Sequence, residues 1–347
     1  MPRRAEQRPD HERGVNLQIV RCSLISALER QRKLMNILVS VIIPTRGRPA
    51  FLLRAIDSVL RQTFEQMEIV VVVDGPDEAT EEALRNIRDE RLRVVALPSS
   101  VGGSDARNIG VQNATGEWIA FLDDDDEWMP SKIEKQLALA AQAREPYPVI
   151  ATQLIAKSPY GDFIWPRRFP GESEPLCEYL FNRKTIFAGE GLLQTSTLLT
   201  RRSLMELVPF TSGLTKHQDI DWYVRVSQVS GARFYFVPMP LVNLYVEENR
   251  ATISGRSDWR FSLNWLKASR RCMSPRAYAG FICSIVASEA SKQGHWRAFP
   301  ELLREMFRYG KPGYMDLSLF VSRWFIRPSI RGKLRALRHS IAVKQSA

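Results

Sequence analysis

Four consecutive aspartates, Asp123-Asp124-Asp125-Asp126, are the part of this sequence richest in chemistry. Carboxylates held that close repel one another, and a divalent cation relieves the repulsion. An all-oxygen ligand set favours Mg²⁺ or Mn²⁺, ions that also take up diphosphate oxygens. The run follows Glu117–Leu122, an apolar stretch that reads as a buried strand. In open α/β sheets ligands bind beyond the carboxyl ends of strands, which is where these carboxylates fall. The competing reading is a solvated acidic turn that caps the next helix.

Three further groupings carry weaker signals. Asp74 ends the apolar run Glu68–Val73 and is placed to accept hydrogen bonds from a base or ribose, although Asp74-Gly75 is also ordinary turn chemistry. Gly102-Gly103 stands before a helix that contains Arg107, where backbone N–H groups can approach an anion. His217-Gln218-Asp219-Ile220-Asp221-Trp222 offers Asp219 as a general base, or as no more than a helix cap beside a core tryptophan.

The elements that position these residues alternate. Ile37–Ile43 is a nearly unbroken β-branched run closed by Pro44, the pattern of a buried parallel strand. Leu52, Leu53, Ile56, Val59 and Leu60 mark a helix opened by Pro49. Strands over Glu68–Val73, Leu92–Leu97 and Glu117–Leu122 follow, separated by helices, with a helix after Pro130. The alternation predicts an α/β fold, a Rossmann-like and mostly parallel sheet flanked by helices. Past residue 150 the rhythm breaks. Residues 157–175 read as loops, Ser196–Thr200 and Phe234–Pro238 as strands, 217–230 as a helix, and the chain beyond about 257 as a helical C-terminal extension. Leu17, Val20, Leu24 and Leu28 suggest a short helix before the sheet.

The chain has 347 residues, 44% of them hydrophobic, and a formal net charge of +11. Residues 1–36 carry +4 and residues 317–347 carry +7, so the body between them is formally neutral. A nucleic-acid reader carries its basic face on the folded body, so no nucleic-acid partner is expected. Basic ends suit contact with an anionic membrane through the C-terminal tail, or simple solubility. Arg323, Arg327, Arg331 and Arg335 recur every four residues beside Trp324 and Phe325, with Pro328 dividing the segment. Cys22, Cys177, Cys272 and Cys283 form no CxxC pair, which predicts a reduced, cytoplasmic protein, peripheral at the inner face of the membrane.

Five motifs in order make the sequence familiar. Val39-Ser40-Val41-Ile42-Ile43-Pro44-Thr45, the strand ending at Asp74-Gly75, Ala106-Arg107-Asn108-Ile109-Gly110, the segment from Gly116 to Asp126, and Asp219 together resemble the family 2 glycosyltransferases. The resemblance covers residues 37–250 and implies the GT-A fold and inversion of the anomeric centre. It implies a nucleotide-binding half over 37–130 and an acceptor half over 131–250. It leaves the basic extension 1–36 and the helical region 251–347 outside.

The resemblance also implies roles. Pro44, Thr45 and Asp74 line the nucleoside pocket, Arg107, Asp123 and Asp124 lie beside the donor, Asp125 with Asp123 holds Mg²⁺ or Mn²⁺, and Asp219 is the catalytic base. Family members often carry two aspartates after the second strand. Here the first of those positions is Val73, which bears on recognition of the base of a UDP-sugar. The implied partners are a nucleotide-sugar donor and a saccharide or lipid-linked acceptor, in synthesis of a cell-surface polysaccharide or glycolipid. Two other readings compete: a scaffold that binds sugar nucleotides without turnover, and a nucleotidyltransferase, for which Thr45-Arg46-Gly47-Arg48 is a thin version of the required loop. No G-x-G-x-x-G follows the first strand, which argues against a dinucleotide-dependent oxidoreductase.

Overall fold

The computed structural model describes residues 37–159, 161–185, 189–246 and 258–326. The β-branched run forms β1 (Val39–Thr45), buried on both faces except at Pro44. Helix α1 (Pro49–Leu60) opens on its proline, whose missing N–H costs nothing at that position. Next come β2 (Met67–Val73), α2 (Glu78–Arg85), β3 (Leu92–Ala96), α3 (Gly103–Asn113) and β4 (Trp118–Phe121). Asp77 caps α2 by accepting from the Thr80 amide at 3.2 Å. Strands β1 to β4 are mutually parallel, in the order β3-β2-β1-β4. β1 therefore has β2 on one side and β4 on the other, and the chain reverses its direction of winding there. A crevice at the carboxyl ends of these strands is the natural ligand site of such a sheet.

The remaining strands extend the same sheet. They are β5 (Glu127–Trp128), β6 (Tyr147–Ser158), β7 (Gly161–Trp165), β8 (Leu199–Arg201) and β9 (Ala232–Tyr245), joined beyond β4 in the order β8-β6-β9-β5, with β7 on β6. Helices α4 (Lys132–Ala140), α5 (Leu176–Phe181), α6 (Arg202–Leu207) and α7 (Gln218–Val226) connect them. One apolar layer packs α1 and α4 against the sheet, through Leu52, Ile56, Ile133 and Leu137. The other packs α3, α6 and α7 against the opposite face, through Ala106, Leu204 and Trp222.

Three local expectations change. Residues 157–165, read as loop, complete a hairpin of β6 and β7 in which Ile155 faces Ile164. The segment Ser196–Thr200 divides into a 3₁₀ turn, Thr195–Thr197, and β8. The strand placed at Phe234–Pro238 runs on to Tyr245. Its pairing with β6 jumps from Val237 to Pro240, so Pro238 and Met239 form a bulge and withdraw from the ladder.

From Trp259 the described chain is helical: α8 (Trp259–Ala268), α9 (Pro275–Phe281) continued through a π-helical turn into α10 (Ala287–Lys292), α11 (Ala298–Tyr309) and α12 (Tyr314–Phe325). These helices have their own core, with Trp259, Leu266, Tyr278, Phe281, Leu302 and Phe320 in it. Phe320 and Trp324 of α12 are buried there, while Val321 and Phe325 stay exposed. Arg323 donates to the Cys283 carbonyl and the Ser288 hydroxyl at 3.2 and 2.9 Å, so this arginine faces the helical core. The N-terminal helix expected before residue 35, the division at Pro328, and Arg327, Arg331 and Arg335 lie outside the described residues. No helix among the described residues is long and apolar enough to cross a membrane.

Candidate active site

The aspartates leave β4 at its carboxyl end and turn sharply, with the Asp126 amide donating to the Asp123 carbonyl at 3.0 Å. The turn sends the four side chains into different surroundings. Asp124 points back into the sheet. It is fully buried, accepts from the Thr45 hydroxyl at 2.8 Å, and pairs with Arg48 at 2.5 Å. Burial pushes its carboxyl up to about 6, against the pull of Arg48 and Thr45 and with the push of Asp125 and Asp123. Asp125 is partly exposed and meets the same Arg48 guanidinium at 3.1 Å.

Asp126 is buried. One of its oxygens accepts from Ser196 at 2.6 Å and Gln194 at 2.8 Å, and the other has no hydrogen-bond partner. Burial first, then the charges of Asp123 and Asp125, push its carboxyl well above the ordinary range. Asp123 takes the Arg107 guanidinium on one oxygen and Gln194, at 3.1 Å, on the other.

Asp123, Asp125 and Asp126 each bring an oxygen within 4.8 Å of the others. Three hard donors, one of them orphaned and held unfavourably in a buried acidic cluster, fit a divalent cation. The sequence points to Asp123 and Asp125; Asp126 is the third member of the group. Gln194 and Ser196 were beyond sequence reasoning altogether. Both sit about 70 residues from the aspartates on an unexceptional Gln-Thr-Ser-Thr stretch, and nothing local marks them. Arg48 was visible only as part of a thin glycine loop.

Arg107 projects from the second turn of α3. Besides Asp123 it donates to the Gly103 carbonyl at 3.1 Å and to the Gln218 side chain at 3.2 Å. Burial works against its charge, but Asp123 and then Asp219 hold the guanidinium above its ordinary value. Gln218 opens α7, and Asp219 follows in the same first turn. Burial raises the Asp219 carboxyl; the Ile220 amide, at 2.8 Å, and Arg107 oppose the rise and Asp123 adds to it. The arrangement thus joins the acidic turn and the start of α7 through one guanidinium.

Asp74 lies at the end of β2, 6% exposed. Its carboxylate accepts from Ser100 at 2.9 Å and from the amides of Val101 and Gly102 at 2.6 and 3.1 Å. It therefore shapes the loop that leads into α3. Thr45 and the half-buried Pro44 stand beside it at the end of β1.

Residues 40–208 match the model of glycosyl transferase family 2. This stretch, just under half of the chain, is a family 2 glycosyltransferase segment. That stretch takes in the acidic turn, Asp74 and Arg107 and stops short of Asp219. The chain is 27% identical over 241 residues to the amylovoran biosynthesis glycosyltransferase AmsB of Erwinia amylovora, covering 67% of this chain and 77% of that one. It is 33% identical over 102 residues to the UDP-Glc:alpha-D-GlcNAc-diphosphoundecaprenol beta-1,3-glucosyltransferase WfgD of Escherichia coli, covering 29% of this chain and 40% of that one. Among solved structures it resembles that of S. aureus TarS 1-349, with a TM-score of 0.54 at 17% identity over 83% of this chain and 81% of that one. The fold is that of the GT-A glycosyltransferases, as the sequence predicts.

Proposed function

We propose that this glycosyltransferase moves a sugar from a uridine diphosphate donor to an acceptor hydroxyl with inversion, in the assembly of a cell-surface polysaccharide on a lipid-linked carrier. One observation carries the reading. Arg107 touches both Asp123 of the acidic turn and Gln218, the neighbour of Asp219. A leaving-group site and a base for the acceptor are thereby one side chain apart. The names of the relatives AmsB and WfgD support the polysaccharide setting, and that of WfgD supports both the uridine donor and the lipid-linked acceptor.

On this reading residues 37–250 form the transfer domain, with the donor held by 37–130 and the acceptor by 131–250. Pro44, Thr45 and Asp74 line the nucleoside pocket and Asp123 faces the donor, whereas Asp124, expected beside the donor, is buried behind it and holds Thr45 and Arg48 in place. Asp125 and Asp123, joined by Asp126, hold Mg²⁺ or Mn²⁺, which when bound offsets charge on the diphosphate. Arg107 presents a second positive charge to the same group, prearranged and largely shielded from water. Asp219 accepts the proton of the acceptor hydroxyl while that oxygen bonds to the anomeric carbon. The bond from that carbon to the diphosphate oxygen breaks on the opposite face, and the configuration inverts. A base of this kind contributes typically ~10²–10⁴-fold. The basic C-terminal tail keeps the enzyme at an anionic membrane, where lipid-linked acceptors reside.

The test is a panel of nucleotide sugars incubated with the protein and Mn²⁺. Release of UDP from one UDP-sugar, abolished by chelator and by Asp125→Ala, is the expected result. Binding without release would favour a scaffold. Retention of Mn²⁺-dependent nucleotide binding by Asp125→Ala would sink the metal assignment.

A further inference from the structure

His217, just ahead of α7, is the one non-glycine residue with positive φ among the described residues, at 62°. Histidine occupies the left-handed region only against a backbone cost, and persists there when its surroundings impose it. Those surroundings come from the C-terminal helices. The imidazole is 8% exposed and packs on the rings of Trp265, Phe281 and Phe261, at 5.2, 5.4 and 6.3 Å between centroids. Its Nε2 lies 2.8 Å from the hydroxyl of Ser262 on α8, which is itself fully buried. Ser262 donates to Glu289 of α10 at 2.7 Å, and the other oxygen of Glu289 takes the ammonium of Lys216 at 2.6 Å.

The protons in this chain are determined. The serine hydroxyl has one hydrogen and gives it to a carboxylate, which can only accept. Its oxygen must therefore accept from His217, which fixes the imidazole as the tautomer protonated on Nε2. Burial and then the nearby Lys216 depress its basicity to about 3, so the ring is neutral. A second tie lies one turn further on, where Trp265 of α8 donates to Asp221 at 3.0 Å. Asp219 sits between the two ties.

We propose that His217, clamped by Ser262, Glu289 and Lys216, is a positioning residue that sets the first turn of α7 and so the direction of the Asp219 carboxylate. The inference rests on Asp219 being the base. It makes α8 and α10, which lie outside the stretch matched by the family model, part of the apparatus of transfer. A catalytic group displaced by about 1 Å loses on the order of 10²-fold in rate, so a bolt of this kind is worth the strained backbone.

The experiment measures UDP release from the active UDP-sugar by His217→Ala, His217→Gln, Ser262→Ala and Asp219→Asn. Donor affinity is measured by calorimetry with Mn²⁺, and folding by thermal unfolding. His217→Ala and Ser262→Ala are expected to lower kcat by about tenfold or more while donor affinity stays within about twofold. His217→Gln should recover part of the loss, because its amide nitrogen stands near the place of Nε2 and can donate to Ser262. A folded Ser262→Ala or His217→Ala with kcat within about twofold of the unaltered protein overturns the inference, as does a Gln variant as impaired as the Ala variant. Loss of donor affinity in step with kcat overturns it too. Should His217→Ala not fold, Ser262→Ala, which removes one oxygen, decides. Asp219→Asn turning over normally sinks the assignment of the base, and this inference with it. An inactive Asp219→Asn beside a fully active His217→Ala sinks this inference alone.

Discussion

Asp124 bears an electrostatic cost that the site imposes on the fold. Its carboxyl is fully buried and raised to about 6, above the ordinary 3.8. As pH rises from about 4 to about 6 the unfolded chain releases this proton before the folded one does, so ionisation counts against folding. The Thr45 and Arg48 bonds offset only part of the burial. Asp124→Asn, the neutral isostere, should therefore stabilise the metal-free protein at pH 8 by up to about 3 kcal/mol, and by progressively less as pH falls towards 4. Thermal unfolding in chelator across that range measures it; a variant no more stable than the parent at pH 8 would refute the assignment. Asp219, as the proposed base, makes the opposite demand, since in that role it must be ionised to act. Its raised carboxyl places the acid limb of kcat at a higher pH than an ordinary aspartate would give. Asp219→Asn should bind donor normally, lose most turnover, and lose that acid limb. Weakened donor binding with near-normal turnover at saturation would show that the carboxylate serves the donor instead.

Helix α3 is the element on which the site turns, because it carries Arg107 and packs through a residue with no side chain. A Cβ on Gly110 would meet Ile42 Cγ2 at 2.3 Å and Val72 Cγ2 at 3.3 Å. The helix therefore lies as close to β1 and β2 as backbone allows, and Gly110→Ala must lift it. The expected cost is about 1–3 kcal/mol of stability. The same lift moves Arg107 away from Asp123 and Gln218, so turnover should fall further than the loss of folded protein explains. Turnover per folded molecule equal to the parent's would mean that α3 does not locate Arg107. This helix and the four parallel strands were legible in the sequence: β1, β2 and β4, buried on both faces, leave unbroken apolar runs, and the more exposed β3 keeps a short apolar run of its own. The β6–β7 hairpin was not, since Pro159, Gly161 and the aromatics around them carry loop signals, and pairing with β6 makes the segment a strand. The long β9 hid behind Pro238 and Pro240, which the bulge accommodates. In the site, Asp123, Asp125 and Arg107 announced themselves through local motif, whereas Gln194, Ser196 and the Ser262–Glu289 clamp depend on distant chain segments brought together by folding.

On the scale of the molecule, a run of unopposed positive charge in the sequence follows directly on exposed apolar side chains. Seven Lys/Arg and no acidic residue fall within 317–347. Arg323 is turned inward onto Cys283 and Ser288, which leaves six of them beyond residue 326. Where the described chain ends, Val321, Phe325 and Trp296 are exposed, and the rings of Trp296 and Phe325 lie 5.8 Å apart. Apolar rings beside a basic segment are the ingredients of interfacial attachment. Each Lys/Arg near an anionic surface contributes about 1 kcal/mol, falling off within a Debye length of about 8 Å at physiological salt. Six such charges hold a protein firmly in dilute buffer and release it as salt rises, whereas the aromatic contribution resists salt. The full chain should therefore sediment with vesicles containing phosphatidylglycerol at low salt, and ignore vesicles of phosphatidylcholine alone. Deletion after Ile326 should abolish most of the binding while UDP release in solution continues. Phe325→Ala with Trp296→Ala should reduce the fraction that survives high salt. If the full chain ignores anionic vesicles in low salt, the tail has another use, and the enzyme must meet its acceptor without help from the membrane surface.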